Sequence, residues 1–328
     1  MNVRRPHIST AALAAVTALG LGTLTACSSD SAAAGNTEKF DVVASFYPMA
    51  FLAERIGGEH VSVTSLTEPG QEPHDLEISA KQTAQLEESD AALYLKGLQP
   101  TVDEAIGQSP VKTKIDAATL TSLEEHGTEA GGHEEEHAEE EHAEEEHGHE
   151  HEHEGGKDPH IWLDPVKYAE VAEGVGKAFE KADPDHAADY EKNTAALVGE
   201  LNDLDEKFRA GLADRKNSVF LTTHAAFGYL AERYGLTEEA ISGLDPESEP
   251  SGARVKELQE MAKADGVTTV FYETLVSDKT AKTLAGDTGL KTDVLDPVEG
   301  ITDASRGDDY FQVMEANLKA LRTALGTK

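Results

Sequence analysis

The sequence predicts an α/β protein in which two series of alternating strands and helices are separated by one long helix. The first series lies between about residues 40 and 182, and the second between about residue 215 and the C-terminus. Strands that alternate with helices form parallel sheets with helices on both faces. A chain of 328 residues is long enough for two domains of ordinary size.

In the first series, apolar and β-branched runs predict the strands, and apolar residues at helical spacing predict the helices. The predicted strands are 42–45, 61–66 and 91–96, and the predicted helices are 49–56, 79–88 and 166–180. Trp162, which follows Asp158-Pro159-His160-Ile161, is interpreted as part of a short buried strand.

The long helix is predicted to begin at Asp183-Pro184, with the aspartate as N-cap and the proline in the first turn. It would end near Ala213, and about thirty residues at 1.5 Å each would span about 45 Å, enough to brace two lobes. An ordinary long surface helix would show the same spacing. The apolar positions recur every three or four residues, at Tyr190, Thr194, Leu197, Leu201, Leu204, Phe208 and Leu212.

The second series repeats the pattern of the first. Its predicted strands are 218–222, 267–272 and 292–295, and its predicted helices are 227–234, 255–265, 278–288 and a terminal helix from Tyr310. Open parallel sheets bind ligands beyond the carboxyl ends of their strands. We therefore expect the strand-end loops of both series to face one cleft.

The N-terminus has the pattern of a lipoprotein export signal. Arg4 and Arg5 precede an apolar run from 11 to 24, which ends in Leu24-Thr25-Ala26-Cys27. This predicts a signal peptide over 1–26, lipid attachment at Cys27 and a flexible tether over 27–37. Cys27 is the only cysteine, which excludes an intramolecular disulfide.

A tract rich in histidine and glutamate carries much of the negative charge. The formal net charge is −35, and fifteen glutamates lie between Glu124 and Glu154. This balance argues against nucleic acid or an anionic membrane surface as partner and favours cations. We predict a solvated, disordered loop over 124–156. Its histidines are candidate ancillary metal ligands: His126, His133, His137, His142, His147, His149, His151 and His153.

Three of the remaining histidines share a setting, because His74, His160 and His224 are each predicted at a strand end facing the cleft. His60 and His186 are interpreted as surface residues. A carboxylate is expected as a fourth ligand, with Asp296 after strand 292–295 as first choice and Glu273 as runner-up. Three neutral imidazoles and one carboxylate suit a tetrahedral Zn²⁺ and exclude an all-oxygen Ca²⁺ or Mg²⁺ cage.

From about Lys39 to the C-terminus the chain resembles the zinc-binding solute-binding proteins of ABC importers, the cluster A-I or cluster 9 group. The resemblance depends on five motifs in the family's order, and the histidine-rich insertion before the second ligand is typical of zinc members. The motifs are Pro73-His74-Asp75, Asp158-Pro-His-Ile-Trp-Leu-Asp-Pro165, Thr223-His224-Ala-Ala-Phe-Gly-Tyr229, Pro250-Ser251 and Val294-Leu-Asp-Pro297.

The resemblance implies two Rossmann-like parallel-sheet lobes, 38–182 and 215–328, joined rigidly by a helix over 183–214, with the metal between them. It implies His74, His160 and His224 as ligands and Asp296 as the fourth, although some zinc members use water or another carboxylate there. The implied function is extracytoplasmic capture of Zn²⁺ by a monomeric, lipid-anchored protein. The implied partner is a membrane permease with its cytoplasmic ATPase.

Three alternatives compete with zinc delivery. Manganese import uses the same fold, but its members typically have glutamate where His224 stands. A surface zinc buffer would depend on the acidic tract alone. A metallohydrolase is suggested by His133-Glu-Glu-Glu-His137, a match to the metalloprotease signature that is expected by chance in a tract of this composition.

Overall fold

The first four strands form a parallel sheet. The computed structural model describes residues 39–126 and 157–327. The strand order is β2-β1-β3-β4, so each connection between neighbouring strands is a crossover on which a helix packs. The elements of this part are β1 Phe40–Ala44, α1 Tyr47–Gly57, β2 Val61–Ser65, α2 Ala80–Glu88, β3 Ala91–Tyr94, α3 Pro100–Gln108 and β4 Thr113–Asp116.

Trp162 lies in a short 3-10 turn, Ile161–Leu163, and not in the predicted strand. Pro159 and Pro165 flank this turn, and Pro165 begins helix α4, Pro165–Ala182, with Asp164 as its N-cap. Proline cannot donate a hydrogen bond to a strand neighbour, which disfavours a strand at this position. The turn directs the fully buried Trp162 towards the second half of the molecule, where its Nε1 donates to the Pro297 carbonyl at 2.7 Å.

The long helix α5 comprises Ala187–Leu212 and is preceded by a 3-10 turn, Pro184–His186. Asp183 does not cap it, because its Oδ2 accepts hydrogen bonds from His186 Nδ1 and Tyr190 Oη. The predicted apolar positions are all buried. At 1.5 Å per residue α5 is about 39 Å long. It packs on α1 and α4 of the first part and on the helices Gly228–Tyr234 and Tyr310–Ala324 of the second, as expected of a helix that joins two lobes.

The second sheet repeats the topology of the first, with all strands parallel and the order β6-β5-β7-β8. Three elements of the structure, β4, β6 and α3, are not predicted from the sequence. Both strands are polar edge strands, Thr-Lys-Ile-Asp and Thr-Glu-Glu-Ala, and lack the apolar run that identifies a central strand. The elements are β5 Val219–Thr222, α6 Gly228–Tyr234, β6 Thr237–Ala240, α7 Gly252–Ala264, β7 Thr269–Tyr272, α8 Lys279–Thr288, β8 Lys291–Val294 and α9 Tyr310–Ala324.

The largest core cluster contains side chains from both sheets and from α1, α4, α5 and α9. Hydrogen bonds also cross between the two parts: Tyr310 Oη donates to the Trp162 carbonyl at 2.7 Å. Within the described ranges, no helix combines the length and apolar character needed to cross a bilayer. The lobe boundaries at 38–182, 183–214 and 215–328 stay predictions.

Candidate metal centre

The structure brings His74, His160, His224 and Glu299 together, and their ligand atoms all lie within 4.8 Å of one another. His74 lies in the loop after β2, His160 just before the turn that leads into α4, His224 after β5 and Glu299 after β8. The part of the chain that forms the first sheet therefore contributes His74 and His160, and the part that forms the second sheet contributes His224 and Glu299. His74, His224 and Glu299 follow strands of the parallel sheets, as the topology predicts. His160 instead precedes a 3-10 turn, which corrects the prediction that it lies at a strand end.

The distances from Glu299 to the three imidazoles are close to those between the ligands of a tetrahedral site. Glu299 Oε1 lies 3.3 Å from His74 Nε2, 3.3 Å from His160 Nε2 and 3.6 Å from His224 Nε2. Ligand atoms about 2.0–2.1 Å from a tetrahedral Zn²⁺ lie about 3.3–3.4 Å from one another. Only small shifts would therefore be needed for these atoms to surround one such ion.

Two of the three imidazoles are held by carboxylates on their far side. His160 Nδ1 donates to Asp158 Oδ1 at 2.7 Å, and His224 Nδ1 donates to Glu273 Oε1 at 2.8 Å. With the proton on Nδ1, each Nε2 presents a lone pair to the centre of the site. Both Nε2 atoms are buried without a good hydrogen-bond partner, as is Glu299 Oε2. Buried polar atoms without partners are costly unless an ion satisfies them.

The loop that carries His74 is held by a third carboxylate. The backbone N–H of His74 donates to Glu72 Oε2 at 2.8 Å. The imidazole is the most accessible of the three, with 11% of its side chain exposed, whereas His160 and His224 are almost fully buried. An ion would therefore reach the site beside His74 more easily than beside the other two imidazoles.

Asp296 does not join this group, which corrects the prediction that it supplies the fourth ligand. Its Oδ1 accepts the Val298 N–H at 2.8 Å and its Oδ2 accepts the Thr274 hydroxyl at 3.1 Å. The first bond closes an Asx-turn, in which an aspartate accepts from the backbone two residues on. Glu299, three residues after Asp296, carries the carboxylate that faces the histidines.

The same turn holds a strained backbone. Val298 has φ of +58°, which is rare for a β-branched residue and costs about 1–3 kcal/mol. Hydrogen bonds fix the two residues before Val298. Asp296 Oδ1 accepts the Val298 N–H, and the Trp162 indole donates to the Pro297 carbonyl. We interpret this strain as the consequence of aiming Glu299 at the cleft. The signal available in the sequence was Asp-Pro itself, which favours a turn and so uses the aspartate for loop shape.

Glu273, the second choice for the fourth ligand, accepts a hydrogen bond from His224 Nδ1 and does not join the group. The same oxygen, Oε1, also accepts the Thr223 hydroxyl at 2.6 Å. His60 and His186 stack on each other, with ring centroids 4.1 Å apart, away from the group. Of the eight loop histidines only His126 lies within the described residues. The positions outside them are Cys27, His133, His137, His142, His147, His149, His151 and His153.

The charges of this region require a cation. Asp158, Glu273 and Glu299 are each at most 4% exposed, and the ion-pairing partners that the structure gives them are histidines. Burial disfavours the charged imidazole, but the nearby carboxylates of Asp158 and Glu299 outweigh it and raise the pKa of His160 to about 9. The pKa of His224 is also raised, against its burial, by Glu273 and Glu299. A divalent ion would supply the positive charge that protons supply otherwise.

Replacing Glu273 by glutamine should weaken metal binding about ten- to a hundredfold, because carboxylates that orient metal-ligating histidines typically contribute that much. Glutamine keeps the shape of the side chain but loses the charge that stabilises His224 as a ligand. Isothermal titration with Zn²⁺ measures the effect. Glu260→Gln, which changes an exposed glutamate on α7, is the matched control. Equal affinities for the two variants would contradict a role for Glu273 in positioning His224.

Comparison with known proteins identifies the family. Residues 42–324 match the family described as zinc-uptake complex component A, periplasmic. The chain belongs to this family. Its fold agrees with solved members: the Zn(II)-bound ZnuA-like domain of Streptococcus pneumoniae AdcA superposes with a TM-score of 0.70 at 33% identity, over 88% of this chain and 99% of that one.

Relatives with named functions cover the chain to different extents. The zinc-binding lipoprotein AdcA of Streptococcus pneumoniae is 37% identical over 305 residues, which are 91% of this chain but only 58% of AdcA. The high-affinity zinc uptake system protein ZnuA of Bacillus subtilis is 35% identical over 325 residues, 94% of this chain and 98% of ZnuA. The present chain thus spans a little over half of AdcA and almost all of the Bacillus protein.

Proposed function

We propose that this protein captures Zn²⁺ outside the cytoplasm and delivers it to an ABC-type permease for import. The observation that carries the proposal is the group of three histidines and Glu299, in which the carboxylate lies 3.3–3.6 Å from all three imidazole Nε2 atoms. Family membership and the zinc-named relatives support the same ion. The function is binding and transfer, so no residue is assigned a catalytic role.

The proposed location combines the family description with the N-terminal sequence. The matched family is periplasmic, and one relative is named a lipoprotein. We propose that Cys27 carries the lipid, that residues 27–37 tether the protein to the outer face of the cell membrane, and that the monomer meets a permease coupled to a cytoplasmic ATPase. Mass spectrometry of the membrane-extracted protein would test the anchor, because an unmodified Cys27 contradicts it.

Ligands from both parts of the chain explain how one protein can hold and release an ion. His74 and His160 come from the first part and His224 and Glu299 from the second, so a small relative shift removes two ligands at once. Arg233 on α6 donates through Nε to both oxygens of the buried Asp164 at 2.8 and 2.9 Å, which opposes wide separation. We propose release through local movement of the loops that carry His224 and Glu299.

The alternatives make different predictions for a metal titration. At a site with three imidazoles Zn²⁺ should displace Mn²⁺ by orders of magnitude, because affinity for such donors rises from manganese towards zinc. A surface buffer would lose its tight site when residues 127–156 are deleted, whereas we expect one tight equivalent to survive. Hydrolysis of peptides would favour a metallohydrolase, for which the described residues provide no separate support.

The direct test is zinc uptake in cells from which the gene has been removed. Complementation with the wild-type gene should restore accumulation of radioactive zinc at low external concentration. A gene encoding Glu299→Gln should restore much less, at equal protein level. Full restoration by the variant would contradict transport through this site.

Zinc binding should weaken as the pH falls. The surrounding carboxylates raise the pKa of His160 to about 9 and also raise the pKa of His224, so protons compete with zinc for these imidazoles. Zinc must displace them, so protons compete more strongly at lower pH, by up to about tenfold per pH unit for each proton displaced. Competition with a chelator between about pH 8 and pH 5.5 measures this dependence. An affinity independent of pH would show that no bound proton is displaced.

A further inference from the structure

The loop that carries His224 is supported by a carboxylate that lies outside the metal centre. This His224 loop, residues 223–227, connects the end of β5 to the start of α6. Glu238, on the neighbouring edge strand β6, reaches both ends of the loop. Its Oε1 accepts the Thr222 hydroxyl at 2.7 Å, and its Oε2 accepts the Phe227 N–H at 3.0 Å. One side chain therefore bridges the points at which the chain enters and leaves the loop.

The first half of the His224 loop is held by other groups. Glu273 Oε1 accepts hydrogen bonds from the Thr223 hydroxyl and from His224 Nδ1. The Ala225 N–H donates to the Gly243 carbonyl at 2.9 Å. These contacts fix the loop up to Ala225 and leave its second half to be held by something else.

The second half depends on Glu238. Phe227 is the N-cap of α6, and its side chain has no atom that could accept a hydrogen bond from the first turn. The first N–H groups of a helix have no partners within the helix, so each needs an acceptor from elsewhere. The Glu238 carboxylate accepts the first of them, and its negative charge suits the start of a helix. The position of Phe227 therefore depends on this contact.

The start of α6 also supports His160. Tyr229, in the first turn of α6, donates through Oη to the Asp158 carbonyl at 2.8 Å. The Asp158 carboxylate in turn accepts a hydrogen bond from His160 Nδ1. Glu238 thus fixes the start of α6 against β5, while Tyr229 fixes it against the residue that orients His160. A shift of Phe227 would disturb the supports of two metal ligands at once.

Glu238 occupies this position without an ionic partner. Burial raises the pKa of its carboxyl to about 7, so the charged form is costly here. Glu239, the next residue, pairs with Arg254 at 2.9 Å, whereas among the residues that the structure describes no ion pair includes Glu238. The hydrogen bonds from Thr222 and Phe227 offset part of the cost, because each favours the charged carboxylate. The contribution of Glu238 is therefore these two hydrogen bonds.

We infer that Glu238 is a positioning residue that holds His224 in the metal-binding geometry and so sets the rate at which zinc leaves the site. The inference rests on the proposed function, in which release begins with movement of the loops that carry His224 and Glu299. Loss of the Glu238 hydrogen bonds would free the second half of the His224 loop and leave all four proposed ligands in place. Affinity should therefore fall through faster dissociation, with little change in association.

The test measures zinc release from the full-length protein by stopped flow, with enough chromophoric chelator that the rate no longer depends on its concentration. Wild type, Glu238→Ala, Glu238→Gln and Glu239→Ala are each loaded with one equivalent of Zn²⁺. Glutamine can still bridge the loop, because its carbonyl accepts the Phe227 N–H and its amide donates to the Thr222 hydroxyl oxygen. Glu239→Ala removes a carboxylate and an ion pair from the same strand without removing a hydrogen bond to the loop.

We expect zinc to dissociate about tenfold faster from Glu238→Ala, and within about twofold of the wild-type rate from Glu238→Gln and Glu239→Ala. If Glu238→Ala does not fold, Thr222→Val provides the test, because it removes one of the two hydrogen bonds and should accelerate release at least about threefold.

Three results would overturn the inference: wild-type release from the folded Glu238→Ala or Thr222→Val protein, equal acceleration in Glu239→Ala, or equal acceleration in Glu238→Gln. A wild-type protein that holds no zinc tightly would instead contradict the proposed function.

Discussion

A protein in which His74, His160 and His224 are all replaced by alanine should retain no tightly bound zinc. The substitution removes three of the four proposed ligand atoms and leaves Glu299 buried without a cation. Zinc held by four protein ligands is typically worth about 10–16 kcal/mol at neutral pH. Loss of three ligands should therefore weaken binding by at least about 10⁵-fold. Competition with a chromophoric chelator measures the remaining affinity.

The matched control removes three histidines from the tract. A variant with His133, His137 and His142 replaced by alanine has the same change in histidine count and should keep one tight equivalent. Far-ultraviolet circular dichroism establishes that both proteins are folded. A tight equivalent that survives in the first variant and disappears in the second would place the principal zinc site in the tract, as the buffer hypothesis requires.

The second large effect separates Glu299 from Asp296. Glu299→Gln should weaken zinc binding by about a hundredfold or more, because glutamine keeps the shape but loses the charge that neutralises the ion and pairs with the imidazoles. Asp296→Asn should weaken it less than about fivefold. The asparagine carbonyl can still accept the Val298 N–H and preserve the turn. Calorimetric titration of both variants with Zn²⁺ gives the comparison.

A larger loss of zinc affinity in Asp296→Asn than in Glu299→Gln would support Asp296 as the fourth ligand, as predicted from the sequence. If Asp296→Asn lost most of the affinity and Glu299→Gln retained it, Asp296 would be the ligand and the turn would have to rearrange on binding. A crystal structure of zinc-loaded Glu299→Gln would distinguish this from water in the fourth position, because the anomalous peak would show which oxygen has moved to about 2.0–2.2 Å.

Apolar runs typical of strands alternate with segments of helical spacing. This alternation is sufficient to predict two parallel sheets and the helix between them. The central strands were found because they are buried on both faces, so their sequences are continuously apolar. The edge strands β4 and β6 lack this signal because charged residues interrupt them: Lys114 is exposed, and Glu238 accepts hydrogen bonds from the Thr222 hydroxyl and the Phe227 N–H. The strand prediction at Trp162 is wrong for a physical reason. The apolar composition of Ile-Trp-Leu favours a strand, but the flanking prolines cannot donate the hydrogen bonds of a strand, so the segment forms a turn.

The positions of the histidines along the sequence are sufficient to distinguish the three candidate metal ligands from the other histidines. His74, His160 and His224 follow strand ends or Pro-rich loops, and parallel topology places such positions at one edge whatever the details of packing. The donor chemistry of these side chains, and so the class of metal they suit, follows from residue type alone. For the same reason the sequence could predict the interlobe cleft without specifying any distance.

Only the tertiary structure decided between the carboxylates. Three carboxylates of this region take hydrogen bonds from residues far away in sequence: Asp158 from His126, Glu273 from His224 and Asp296 from Thr274. Glu299 instead faces the three histidines. Val298 shows this most clearly, since its positive φ is maintained by Asp296 and by the loop that Trp162 holds from the other part of the chain. Local preference opposes that conformation, so no local pattern could have predicted where Glu299 points.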